Sequence, residues 1–436
     1  MLDRLRAEVR RLQLRGAQLR GLSEAGLRRF NEVTLERVRR RLNEQQRAEM
    51  DANLAAWELP TDLQLRAYYL TLKYAYESVQ AAIGCCGEVI NPPPILASAY
   101  GGDITGCALF LPPQGYAIIL DETLFDLCTI LPKVLLGGIT PRADEPLFTL
   151  DKDILLARLS RSPGLQEQFD DLVLSYLIKG SVSRASHVPL PSDPALLKVA
   201  GHIGNGIRYF VIGHECGHIL HGHFTHQNHD RVLSSDDLGQ IDTGTGMPHF
   251  YYRHFLEFQA DARGIQACLQ CSDNQGVIEL TFCGALAYLY VLDLLEHALI
   301  LWVSGKDTYG THFGGGLFDT FMMSITTHPA GTLRAARTIY GLLDEFEQMG
   351  DKTASFRATV QAINFTVRTI LRECWTRFVA QLTQADIDRY PLSPLWGRRA
   401  RLLAARTPVR RNGWDIDDIA DFLAAEAAAR APAKPL

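Results

Sequence analysis

The stretch Val211-Ile-Gly-His-Glu-Cys-Gly-His-Ile-Leu220 decides how the rest of the sequence is interpreted. Its apolar residues predict a buried helix, on which His214 and His218 lie one turn apart on the same face. Two imidazoles at this spacing can bind one zinc ion, and Glu215 is close enough to reach a water molecule beside that ion. The pattern therefore predicts a zinc site with a general base, Glu215, that deprotonates a zinc-activated water.

A catalytic zinc needs a third protein ligand, because two histidines leave its tetrahedral coordination incomplete. Glu257 and Asp261 are four residues apart, so both lie on one face of a second predicted helix. Glu257 can bind the ion, and Asp261 can accept the free ring N–H of a ligand histidine and fix its tautomer. His254 is the rival ligand on this helix. One histidine of the cluster that follows the first helix could also replace Glu257 or bind a second metal. The cluster consists of His221, His223, His226 and His229.

The two motifs together, HECGH and Glu257-Phe-Gln-Ala-Asp261, resemble the HExxH…ExxAD signature of the M48 peptidases, a gluzincin family of metallopeptidases. Thr327-His328-Pro329, followed by Arg334, resembles the family's HP…R segment. The resemblance implies that His328 stabilises the oxyanion, and that Arg334 positions this segment or pairs with an acidic side chain behind the ligands. Residues 108–120 resemble the family's hairpin, whose edge strand pairs with the substrate backbone. A zincin-like core, one Zn²⁺ and a peptide substrate are implied, and the subfamily stays open.

Composition and charge are those of an ordinary globular protein, with 47% hydrophobic residues and a net charge of −5. The negative charge argues against general nucleic-acid binding. Nine scattered cysteines and the lack of a recognisable secretory signal predict reduced thiols and a cytoplasmic location. Cys268-x-x-Cys271 is predicted to be structural. Charged residues interrupt the apolar stretch from Val277 to Val303, so we expect a buried core helix and no membrane span.

The apolar periodicity predicts a mainly α-helical protein with one small β-sheet, an α+β fold with helical additions at both ends. Residues 1–60 are predicted to form an arginine-rich arm of two helices, which packs on the body or contacts a second copy or another partner. Residues 61–350 form the predicted metallopeptidase domain. Residues 351–430 are predicted to be a helical cap, and residues 431–436 a disordered tail.

The reaction that these residues predict is hydrolysis of a peptide bond in a protein or peptide substrate. Glu215 takes a proton from water and later delivers it to the leaving amine. Two alternatives stay open: a non-catalytic, metal-stabilised scaffold or sensor, and a zinc amidohydrolase that acts on a non-protein substrate. A structural zinc site is usually closed by four protein ligands, so the number of ligands distinguishes the scaffold from the enzyme.

Overall fold

Helices make up most of the structure, which also contains one three-stranded sheet, and this confirms the predicted α+β class. The computed structural model describes the chain in segments. They are residues 2–101, 104–111, 115–142, 145–182, 193–225, 252–304, 331–348 and 354–396.

The elements before the histidine helix comprise the sheet and helices on both sides of it. They are α1 (Asp3–Leu19), α2 (Glu24–Arg39), α3 (Glu44–Ala56), α4 (Arg66–Gly84), β1 (Ile95–Ala99), β2 (Gly106–Leu111), β3 (Gly115–Asp121), α5 (Glu122–Ile139), α6 (Lys152–Ser160) and α7 (Pro163–Lys179).

The histidine helix, α8 (Pro194–Leu220), passes through the main core and is followed by a 3-10 turn, His223–Thr225. Its start is capped, because the Asp193 side chain accepts the Ala195 N–H and a proline occupies the first turn. The elements after it are all helical in the described segments. They are α9 (Tyr252–Leu269), α10 (Gln275–Ser304), α11 (Gly331–Gln348), α12 (Ala354–Gln381) and α13 (Gln384–Arg389).

The sheet is mixed and has the strand order β1-β3-β2, with β1 parallel and β2 antiparallel to β3. Strands β2 and β3 correspond to the predicted hairpin, whereas β1 was not predicted. One face of the sheet packs on the main core. Helix α1 covers the other face with Leu5 and Val9, which are fully buried. Among the described strands, β2 lies at an edge, and both β2 and β3 contact α8.

The N-terminal segment contains three helices where the sequence predicted two. Gly21, at φ 70°, follows the end of α1. Gly16 lies inside α1 and does not interrupt it. At this residue the helix passes against the backbone of Tyr100, where a side chain would not fit. The third helix begins at a capping box formed by Asn43 and Gln46. Arg20 at the end of α1 is partly buried and forms an ion pair with buried Glu122, so the segment packs on the body.

Helices at the C-terminal end belong to the same core as the centre of the chain. Buried residues of α12, such as Trp375, pack in the main cluster together with α10. Helix α10 is long and apolar enough to cross a membrane, and 78% of its most apolar window is buried inside the fold. The domain boundaries and the absence of a membrane span stay predictions.

Glycines let α8 lie almost in backbone contact with its neighbours. A Cβ atom at Gly206 would be 2.0 Å from the carbonyl oxygen of Thr281 on α10, and one at Gly284 would be 2.0 Å from that of Ile203. Towards α9, a Cβ at Gly213 would meet the Arg263 carbonyl oxygen at 3.0 Å. The separations at Gly206 and Gly284 are too short for any side chain, and the one at Gly213 is tight, so the glycines fix how closely the helices pack.

Replacing Gly206 by alanine therefore tests this packing. The added methyl group cannot fit without moving α10, so we expect Gly206→Ala to lower the free energy of unfolding by about 3 kcal/mol. Gly201 on the same helix is the matched control, because it is exposed and a Cβ there would meet nothing within 4 Å. Gly201→Ala should instead stabilise the helix by about 0.5–1 kcal/mol. Chemical denaturation measures both, and equal stabilities for the two variants would contradict the close approach.

Candidate metal centre

Three side chains place their ligand atoms around one point, and they are His214, His218 and Glu257. Nε2 of His214 lies 3.0 Å from Nε2 of His218. The Glu257 carboxylate oxygens lie 3.4 Å from Nε2 of His214 and 3.6 Å from Nε2 of His218. Ligand atoms bound at 2.0–2.1 Å to one tetrahedral ion are about 3.4 Å apart. The spacing and the nitrogen and oxygen donors thus fit a metal ion, and this cluster could hold one.

The approach of α9 to α8 brings Glu257 to the histidines. A Cβ at Gly217 would be 2.8 Å from the Cα of Ala260, so the two helices are nearly in contact beside the triad. Glu257 and Asp261 lie one turn apart on α9 and both are buried. Helix α9 therefore brings Glu257 to both histidines and Asp261 to His214.

Asp261 and Arg334 lie behind His214 on the side away from Glu257. Oδ1 of Asp261 is 2.9 Å from Nδ1 of His214, and Nε of Arg334 donates to Oδ2 of Asp261 at 2.8 Å. Burial acts to raise the pKa of the Asp261 carboxyl, but Arg334 and His214 outweigh it and hold this pKa below its usual value. Asp261 is therefore an ionised acceptor that keeps the proton of neutral His214 on Nδ1 and leaves Nε2 available to a metal.

The pKa values of the two histidines differ. Burial lowers the pKa of His214, but hydrogen bonds with Asp261 and Glu257 outweigh this effect and raise the pKa to about 9. Burial lowers the pKa of His218 to about 3, and the charge of His214 acts in the same direction. A cation bound by the triad replaces the proton that His214 otherwise holds.

Glu215 lies beside the triad in a cavity of ≈ 220 Å³ that is also lined by residues of β2. Its carboxylate accepts the backbone N–H of Ala108. Gly106 leaves room for it, because a Cβ there would be 3.2 Å from Oε1 of Glu215. Burial raises the pKa of Glu215 to about 7, His214 acts to lower it, and the Glu257 charge acts to raise it. A bound cation would favour the ionised form and lower the pKa.

The structure does not bring every candidate residue to this site. His223 lies 2.8 Å from His218 with the two Nδ1 atoms facing each other, and His221 stacks on His223, so neither takes part in the triad. His254 lies in the first turn of α9, where the structure describes the backbone alone. Candidates outside the described residues are His226, His229 and His328.

Two contacts of the site were not anticipated from the sequence. The Ala108 N–H orients Glu215, and His223 contacts the second ligand histidine. A signal for His223 does exist in the sequence: Gly222 follows the end of α8 and adopts φ 64°, which turns the chain back beside the helix. No comparable signal connects Ala108 with Glu215, because that contact depends on how β2 packs on α8.

No family model matches the chain, and neither a curated protein nor a solved structure matches it. The candidate metal centre therefore rests on the geometry of its own residues.

The choice of Glu257 as third ligand can be tested directly. Glu257→Gln keeps the size of the side chain but removes its charge, so we expect a loss of Zn²⁺ affinity greater than the 10–100-fold that an outer partner costs. His254→Ala is the matched variant on the same helix and should bind Zn²⁺ as the wild type does. Competition titration against a chromophoric chelator measures both. Metal retained by Glu257→Gln but lost by His254→Ala would show that His254 is the ligand.

Proposed function

We propose that this protein is a zinc-dependent endopeptidase of the M48-like gluzincin type. The observation that carries the proposal is the convergence of His214, His218 and Glu257 on one point, with Glu215 in the same cavity. Two imidazoles and one carboxylate form a ligand set that zinc hydrolases use. The contact of Asp261 with His214 adds the outer carboxylate that orients a ligand imidazole in such sites.

The number of donors favours an enzyme over a structural site. Within the described segments the cluster offers three protein ligands, which leaves a tetrahedral ion with one position for water or substrate. A structural zinc is usually enclosed by four protein ligands. A buried carboxylate that is held beside the cluster without belonging to it, Glu215, also suits catalysis.

Bound zinc would act as a Lewis acid that polarises the scissile carbonyl and makes water more acidic. Glu215 is the base in the proposed reaction. The oxygen of water adds to the carbonyl carbon, its proton passes through the Glu215 carboxylate to the leaving nitrogen, and the C–N bond breaks. The Ala108 N–H keeps this carboxylate in place while it gains and loses the proton. From the resemblance of the HP…R segment, His328 is proposed to stabilise the oxyanion.

The position of β2 supports a peptide as the substrate. Asp121 N–H donates to the Thr105 carbonyl oxygen, so these residues form a hydrogen-bonded pair of the antiparallel ladder. Because such pairs alternate along the strand, the backbone groups of Gly106, Ala108 and Phe110 point away from β3. They lie at the edge of the described sheet, beside the cavity that holds Glu215. An extended peptide can pair with such an edge and bring a scissile bond to the base.

The assignment of the base predicts the behaviour of Glu215→Gln. This variant should bind Zn²⁺ as tightly as the wild type, because Glu215 is not a ligand, but should lose about 10²–10⁴-fold in turnover. Profiling of new N-termini in a proteome treated with wild type or variant identifies the cleaved substrates and measures the loss.

Glu167→Gln is the control for this experiment, because Glu167 is an exposed carboxylate on α7. It should match the wild type in both metal content and cleavage. Cleavage by Glu215→Gln at the wild-type rate would refute the assigned base. An absence of new N-termini with metal-loaded wild type would refute the peptidase.

A further inference from the structure

His218 has a partner of its own on the ring edge opposite the metal site. His223 is 3% exposed, and its Nδ1 lies 2.8 Å from Nδ1 of His218. The two rings are nearly perpendicular, at 74°, with centroids 4.9 Å apart. This geometry permits a hydrogen bond between the two Nδ1 atoms, in which one ring must donate and the other must accept.

Gln259 determines which ring donates. Its amide oxygen, Oε1, lies 3.2 Å from Nε2 of His223. An amide oxygen can only accept, so Nε2 of His223 carries a proton and, in the neutral ring, Nδ1 does not. The Nδ1 of His223 is then the acceptor, and the proton between the rings belongs to Nδ1 of His218. Neutral His218 consequently presents an unprotonated Nε2 to Glu257 and His214, which is the form that a metal requires.

We propose that His223 and Gln259 are positioning residues: they hold His218 in the tautomer whose Nε2 binds the metal. The inference rests on the metal site of the proposed function. The two ligand histidines are thus oriented by different means. His214 donates to a carboxylate, Asp261, whereas His218 donates to a neutral chain that runs through His223 to Gln259.

Helix α9 contributes residues that contact both histidines. Glu257 lies among the ligand atoms, Gln259 ends the chain behind His218, and Asp261 contacts His214. His223 reaches its position because the chain turns at Gly222 after α8. The orientation of His218 therefore depends on the 3-10 turn and α9 together.

The test compares substitutions at Gln259 that remove or keep its ability to accept a hydrogen bond from His223. Gln259→Met cannot accept and should weaken Zn²⁺ binding about 10–100-fold, and His223→Phe should do the same. Gln259→Glu still accepts from His223 and should stay within a few-fold of the wild type. The double variant His223→Phe/Gln259→Met should be no weaker than His223→Phe, because the two residues act in one chain.

Gln266→Met is the matched control, since Gln266 lies on the same helix and bonds to Cys86 and Arg263 rather than to the triad. Its Zn²⁺ affinity should equal that of the wild type. Competition titration measures all affinities, and thermal unfolding of each metal-free variant identifies any that fail to fold. Wild-type binding by His223→Phe or Gln259→Met would overturn the proposal.

A second measurement needs no substitution. Histidine-selective ¹⁵N NMR of the Zn²⁺-loaded wild type should show His218 protonated at Nδ1 and His223 protonated at Nε2. The opposite tautomer of His223 would overturn the proposal while leaving the metal site intact. A wild type that binds no Zn²⁺ would overturn the proposed function and this inference together.

Discussion

The distance between α8 and α9 is the constraint on which the candidate metal centre depends. At Gly213 and Gly217 the helices meet backbone to backbone, without side chains to separate them. Glu257 and Asp261 face this contact one turn apart, so a single separation places one carboxylate among the ligand atoms and the other against His214. Any change that moves the helices apart would displace both at once. Gly213 and Gly217, each of which directly precedes one of the two histidines, thus set the separation on which the site depends.

Buried charge around the site is balanced locally. Asp261 is 2% exposed and Arg334 is 7% exposed, and each would be costly to bury alone. The two side chains pair with each other, and Asp261 accepts from His214. The pair thus orients the imidazole ring without adding net charge to the core. Arg334 comes from α11, which lies on α10 through the close contact between Gly331 and the Leu289 carbonyl oxygen. Three helices that are distant in sequence therefore cooperate to orient one imidazole.

The sequence predicted the elements whose signals are local. Helix α8 has a capped start and two histidines at helical spacing, and the spacing of Glu257 and Asp261 placed both on one face of a second helix. Strand β1 was missed because it is short and mostly apolar, with no sustained alternation of apolar and polar residues. The third N-terminal helix was missed although Asn43 and Gln46 form a capping box at its start, because few of its residues are buried and its apolar periodicity is weak. The partners of His218 and Glu215 depend on tertiary packing, which periodicity does not encode.

The Ala108 N–H that Glu215 accepts lies on the edge of β2, where a peptide is proposed to bind. An extended peptide on the edge of β2 would find the Ala108 donor already occupied, while the Gly106 and Phe110 positions on either side point outward. If the proposed peptide bound there, its ladder with β2 would lack one hydrogen bond, directly beside Glu215. The bond to be cut would then be selected by the main-chain register of the peptide on β2, rather than by the identity of nearby side chains.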